Sequence, residues 1–202
     1  MARKTSANPW RADRVARFRE AGAGRARGIG SAARVAAALR DRYGNPRHHN
    51  RRNPLEELLF ILCSVQTQES NYLRTFRALR RRFPNFEALE VASIRQIQIP
   101  LVSGGLYRNK ARAIHRLCQV VAQSFGSLTL APLRQFSDQE CEAFLLGLPG
   151  VGLKVAHCVM MYSLDRRVFP VDTHCWRICR RLGWVRATSK DGECRARDMR
   201  RL

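Results

Sequence analysis

Apolar residues recur at helical spacing through most of the chain, and no alternating segment is long enough to read as a half-buried strand. The pattern predicts a short helix over 31–43, with Val35, Ala38 and Leu39 on one side, stopped at Gly44-Asn45-Pro46. Asn53-Pro54-Leu55-Glu56 then supplies a cap, a proline at the first helical position and a first-turn carboxylate. The helix it opens, 55–65, is apolar almost all round, which marks a buried central element. It ends in the polar run Gln66-Thr67-Gln68. An amphipathic basic helix over 72–83 follows, with Leu73, Phe76, Leu79 and Phe83 inward. Two short helices, 86–91 and 93–98, are expected to end at Pro100. Ser103-Gly104-Gly105 turns the chain into a long helix, 106–125, closed by Gly126. A capping box at Ser137–Glu140 opens the next helix. That helix runs to a tight Pro149-Gly150-Val151-Gly152 turn, and Val155, Ala156, Val159 and Met160 continue it as a second helix. A last helix starts at Asp172 and carries Cys175, Ile178 and Leu182 as its stripe. The fold class is all-α, a compact bundle of about seven or eight helices cornered by Gly and Pro turns.

Charge changes the picture. The 202 residues hold 37 Lys and Arg against 16 Asp and Glu, a formal +21. That excess goes far beyond what solubility requires and predicts a polyanionic partner, most simply nucleic acid. No apolar run approaches the length of a membrane span, and no secretory hydrophobic region opens the chain. Residues 1–30 are rich in Arg, Ala and Gly and too polar to offset chain entropy, so they read as a basic disordered tail ahead of a helical domain over 31–202. Seven cysteines, with no C-x-x-C pair, fall mostly on apolar stripes and read as small buried hydrophobes in a reducing compartment. The adjacent His48 and His49 lack the spacing of a metal site.

The chemistry concentrates in two stretches. Leu148-Pro149-Gly150-Val151-Gly152-Leu153-Lys154 is the centre of a helix–hairpin–helix over about 138–164, and in Val171-Asp172-Thr173-His174 the aspartate lies eighteen residues beyond the lysine. Glycines at 150 and 152 allow positive φ and let backbone N–H groups approach a phosphate at the positive end of the second helix. Asp172 is a favoured N-cap, and it places a carboxylate at the mouth of a neighbouring helix. Lys154 sits at a helix start, where the dipole disfavours a further cation, and a lysine is a nucleophile only as the free amine. The glycines do not form a P-loop, because Leu153 separates Gly152 from Lys154, and they lack the third glycine of a dinucleotide fingerprint.

These motifs resemble the helix–hairpin–helix DNA glycosylases of the endonuclease III type. Ile61-Leu62-Cys63-Ser64-Val65-Gln66-Thr67 and Gly105-Leu106-Tyr107-Arg108-Asn109-Lys110-Ala111 are similar to two further segments of that family, in the family's order, so the resemblance covers roughly 53–185. It implies a base-excision glycosylase with associated AP lyase activity on oxidised pyrimidines. By the same resemblance Lys154 would be the Schiff-base nucleophile at C1′, and Asp172 would stabilise the developing cation. Gln66 and Leu106 would fill the gap left by an extruded base and wedge the opposite strand. Lys110, Gly150, Val151, Gly152 and His174 complete the implied DNA-binding set. Gln68 and Glu69 stand where the family more often has Thr and Asp, so its base preference does not transfer directly.

The partner implied is damaged double-stranded DNA, met by a monomer. The compartment implied is cytoplasm or nucleoid in a bacterium, nucleus or organelle in a eukaryote. Many family members carry a [4Fe–4S] cluster on a four-cysteine loop; no cysteines here have that clustering, so no cofactor is expected. Residues 191–202 read as the opening of a further polar helix, and the family's closing C-terminal region is expected to be missing. Two alternatives stay open: a monofunctional adenine-type glycosylase, whose branch usually lacks a lysine at position 154, and a catalytically inactive helix–hairpin–helix DNA-binding protein.

Overall fold

The computed structural model describes residues 29–45, 48–182 and 184. The expected tail, up to residue 28, and the expected terminal helix therefore lie outside the described residues, while residues 29 and 30 already belong to a helix. Nine α-helices and one short 3-10 turn account for the regular structure, with no strand among the described residues.

Helix α2 (Pro54–Ser64) organises the rest. Asn53 caps it by accepting the Leu55 and Glu56 N–H groups, and Pro54 stands at its start. Leu58, Leu59 and Cys63 are completely buried, because α2 packs against α3 (Glu69–Arg82), α6 (Tyr107–Phe125) and α8 (Leu153–Ser163). Glu57 is buried in the same helix, where its carboxylate accepts the Asn50 amide and the Arg51 N–H. Burial pushes its carboxyl up, while those hydrogen bonds pull the other way. The linker ahead of α2 is thus tied to its first turns.

Helices α4 (Phe86–Glu90) and α5 (Ile94–Leu101) connect α3 to α6. Here the expected stop at Pro100 does not occur. Pro100 lies inside α5, whose last residue, Leu101, is fully buried. A proline removes one backbone donor, and a single missing bond in a final turn is outweighed by core burial at the next residue. Gly126 closes α6 in a left-handed conformation, φ 74°, and its N–H caps the Ala122 carbonyl.

A 3-10 turn (Ala131–Gln135) leads into α7 (Asp138–Gly147), opened by a complete Ser137/Glu140 capping box. The hairpin then delivers α8, and α9 (Thr173–Arg181) follows after an irregular strap. Arg166 staples that strap to the turn before α7 by donating to the carbonyls of Arg134 and Phe136 and pairing with Asp138.

Two expected stripes are corrected. None of the described side chains of helix α1 (Ile29–Tyr43) joins the core; Val35 is only half-buried, and Ala38 and Leu39 are exposed. In α9 the buried residues are Trp176 and Cys179, while Ile178 and Leu182 face outward. Apolar residues occur on both sides of α9, and the large indole, covered by the Arg180 guanidinium, takes the inner position.

Candidate active site

Lys154 and Asp172 stand at the starts of two helices. Gly152 is the N-cap of α8 and offers no side-chain acceptor. The first α-helical bond runs from the Ala156 N–H to the Gly152 carbonyl, so the N–H groups of Leu153, Lys154 and Val155 lie before the helical ladder. The lysine side chain in that first turn is exposed. Asp172 caps α9, its Oδ1 accepting the Cys175 N–H at 2.7 Å. Partial burial works to raise the Asp172 carboxyl. Hydrogen bonds from the Cys175 backbone and thiol and from the His174 N–H, together with the Lys154 charge, outweigh it and hold the group below the usual carboxylate range. The aspartate is an anion in the field of the Lys154 charge.

The thiols beside this pair are poor nucleophiles. Burial pushes Cys158 up to about 11 despite the Lys154 charge. Burial and the hydrogen bond to Asp172 likewise raise Cys175. Lys154 is left as the exposed amine at the site.

The hairpin corrects one expectation. Gly150 alone takes the left-handed conformation, φ 79°, and a Cβ there would meet the Ala113 Cβ of α6 at 3.0 Å. Gly152 is extended, φ −100°, with open space where a Cβ would stand. Its use is steric access to the helix mouth rather than backbone freedom. Val151 is buried and its N–H is turned back onto the Leu148 carbonyl at 3.2 Å, so its side chain packs the hairpin.

Gln66 and Leu106 lie on neighbouring exposed turns. Both adopt left-handed backbone, φ 50° and φ 57°, at a cost on the order of 1–2 kcal/mol for a non-glycine residue. Gly105 brings the turns together: a Cβ at this position would stand 3.0 Å from the Gln66 carbonyl oxygen. His174 is exposed and accepts from Arg177 through Nδ1 at 2.9 Å. Since a guanidinium can only donate, the ring proton sits on Nε2, which is left as a donor.

Lys110 is turned inward. It is buried, 7% exposed, and its Nζ donates to the Cys63 carbonyl at 2.8 Å and to the Thr67 hydroxyl at 2.7 Å. Burial lowers it from the ordinary lysine range. Its ammonium is held inside the protein in this structure.

Sequence reading missed His157. Its Nδ1 donates to the Phe169 carbonyl at 3.2 Å, and its Nε2 meets the Glu142 carboxylate at 2.7 Å. One buried ring thereby ties α8 to α7 and to the strap that ends at Asp172. Its place three residues past Lys154 gave no signal, since both partners come from elsewhere in the fold.

The described cysteines do not form a cluster ligand set. Six are distributed over α2, α6, α7, α8 and α9, all free and most buried, and no group of three or more His, Cys, Asp or Glu among the described residues could hold a metal. Cys194 lies outside the described residues. No described helix is long and apolar enough to cross a membrane.

Comparison with known proteins places this geometry. A candidate DNA glycosylase of Arabidopsis thaliana, At3g47830, is 37% identical over 67% of this chain and 46% of its own length. Endonuclease III of Thermotoga maritima is 27% identical over 72% of this chain and 64% of its own length. The chain thus spans about half to two thirds of these relatives. Among solved structures, a non-covalent endonuclease III–DNA complex shares the fold with a TM-score of 0.69 at 24% identity, over 86% of this chain and 77% of that one. Residues 60–201 match the HhH-GPD superfamily of base excision DNA repair proteins, and the chain belongs to that family of base-excision DNA glycosylases.

Proposed function

We propose that the chain is a bifunctional glycosylase and AP lyase that removes oxidised pyrimidines from duplex DNA as a monomer. The observation that carries the reading is the exposed Lys154 amine at one helix mouth, electrostatically coupled to the ionised Asp172 at the next. The free amine of Lys154 attacks C1′ of the damaged nucleoside. The C1′–N bond breaks, and the base leaves with the electron pair and takes up a proton. The Asp172 carboxylate opposes the positive charge that develops at C1′. Opening of the sugar gives an imine on Lys154; loss of a C2′ proton then expels the 3′ phosphate through C3′–O cleavage. The open N–H groups of α8 suit a phosphate, and Gln66 and Leu106 suit the gap left by the extruded nucleotide.

The relatives support this chemistry. ROS1 of Arabidopsis thaliana, a DNA glycosylase/AP lyase, is 32% identical over half of this chain, though that covers 7% of its own length. The lysine at 154 speaks against the monofunctional alternative. The test is covalent trapping. With borohydride and a duplex carrying an oxidised pyrimidine, the wild-type chain should form a covalent complex and nick the strand, and Lys154→Ala should do neither while still binding. Trapping by the alanine variant would move the nucleophile elsewhere. Absence of turnover by the wild type on every lesion would leave a DNA-binding module.

A further inference from the structure

We propose that Lys110 is a positioning residue that clamps the Gln66 and Leu106 turns into one rigid wedge, so that both side chains are held ready to enter the duplex. The proposal rests on the glycosylase reading for its functional consequence, but the clamp itself is a property of this chain.

The contacts around Lys110 and the two turns support it. Lys110 lies in the first turn of α6, one turn past Leu106, and its N–H is bonded to the Leu106 carbonyl at 3.0 Å. Its ammonium crosses to the other turn, where it takes the last-turn carbonyl of α2, at Cys63, and the Thr67 hydroxyl. These acceptors flank Gln66 on both sides. The Gly105 backbone fits against the Gln66 carbonyl with no room to spare. From the opposite side, the Thr75 and Ser103 hydroxyls meet at 3.0 Å, and a Cβ at Gly104 would lie 3.0 Å from the Thr75 hydroxyl. Thr75 in turn donates its hydroxyl to the Asn71 carbonyl at 2.8 Å, which fixes it on α3.

The physical need for such a clamp is the strain at its ends. Left-handed backbone at a glutamine and at a leucine persists only where the surroundings over-determine it. A lysine suits the task because a buried ammonium must find acceptors, and both are on the turn to be held. An apolar residue at 110 would leave the Cys63 carbonyl and Thr67 hydroxyl without this donor.

Two measurements test it. The first needs no DNA. Hydrogen exchange should show the 65–67 amides, now held by bonds from Val65 to Ile61 and from Thr67 to Ser64, opening about tenfold faster or more in Lys110→Met, as expected on losing bonds to a charged donor. Amides of α7 and α8 should keep their wild-type rates. Should Lys110→Met fail to fold, Thr67→Val removes one acceptor at nearly constant shape and should show a smaller change in the same direction, while Thr67→Ser should behave as wild type. Wild-type exchange at 65–67 in both Lys110→Met and Thr67→Val would overturn the clamp, and so would uniform acceleration across the chain.

The second measurement reads function. A duplex with a tetrahydrofuran abasic analogue opposite 2-aminopurine should brighten when the wild-type chain binds, and Leu106→Ala should dim that response. Lys110→Met should dim it as well, and should slow excision of a damaged base more than nicking at a preformed abasic site. Equal slowing of both would overturn the positioning role. No brightening with the wild type would instead sink the wedge reading, leaving the exchange result to decide the clamp.

Discussion

The Asp172 carboxylate accepts the Cys175 N–H and feels the Lys154 charge, so under the proposed function one group would serve both as cap and in catalysis. Substitution can separate the two. Asn is as good a cap as Asp, so Asp172→Asn should still fold, losing at neutral pH only what the carboxylate's charge contributes. It removes the negative charge that opposes the developing cation, and base release should fall by about 10². Action on a preformed abasic site should suffer less, because the aldehyde already accepts the amine. Single-turnover rates on the two substrates check this, and equal losses on both would contradict the assigned role. The sign of the pH effect follows from the depressed carboxyl. Any stability that the charge contributes is fully present above the unfolded value of about 3.9 and is lost as pH falls through the lower folded value. The difference in urea midpoint between Asp172→Asn and wild type should therefore shrink as pH falls through the acid range.

Within the hairpin element, two glycines that look alike in sequence have different duties. Gly150 combines φ 79° with the 3.0 Å approach to Ala113, so Gly150→Ala should cost about 1–3 kcal/mol. Gly152→Ala has open space and an extended backbone, and should shift stability by no more than about 0.5 kcal/mol. Denaturant melts of the two variants check the contrast; equal losses would mean that the hairpin geometry is misassigned. This difference also shows what the sequence could convey. Caps at Asn53, Ser137 and Asp172, the buried α2 and the closing Gly126 were legible, because each depends on neighbours within a few positions. The placement of Lys154 and Asp172 at two helix mouths followed from the same local signals. Burial of Lys110, the engagement of Val151 and the rotation of α9 about Trp176 were not legible, since each is decided by a distant partner. Pro100 misled because a helix breaker was weighed without the core residue that follows it.

At the scale of the whole molecule, the site lies among cations carried by the elements that form it. Exposed Arg108 and Arg112 follow Leu106 on α6, and exposed Arg177, Arg180 and Arg181 follow Asp172 on α9. Exposed Arg74, Arg77, Arg81 and Arg82 lie on α3, which begins just after the Gln66 turn. With +21 overall, the chain should bind duplex DNA chiefly through phosphate neutralisation, and each phosphate met should steepen the log–log salt dependence by about 0.9. Residues 1–30 carry eight Lys or Arg and two acids, so removing them should flatten that slope. The site's own geometry is independent of those cations. A chain lacking 1–30 should therefore keep its preference for damaged over intact DNA, and the difference should persist as salt rises. Fluorescence anisotropy across a salt series, on matched lesion and intact duplexes, measures both quantities. Binding that ignores salt would remove the electrostatic account. Loss of lesion preference on deleting 1–30 would mean that selectivity resides in the basic segment, and not in the helix mouths at Lys154 and Asp172.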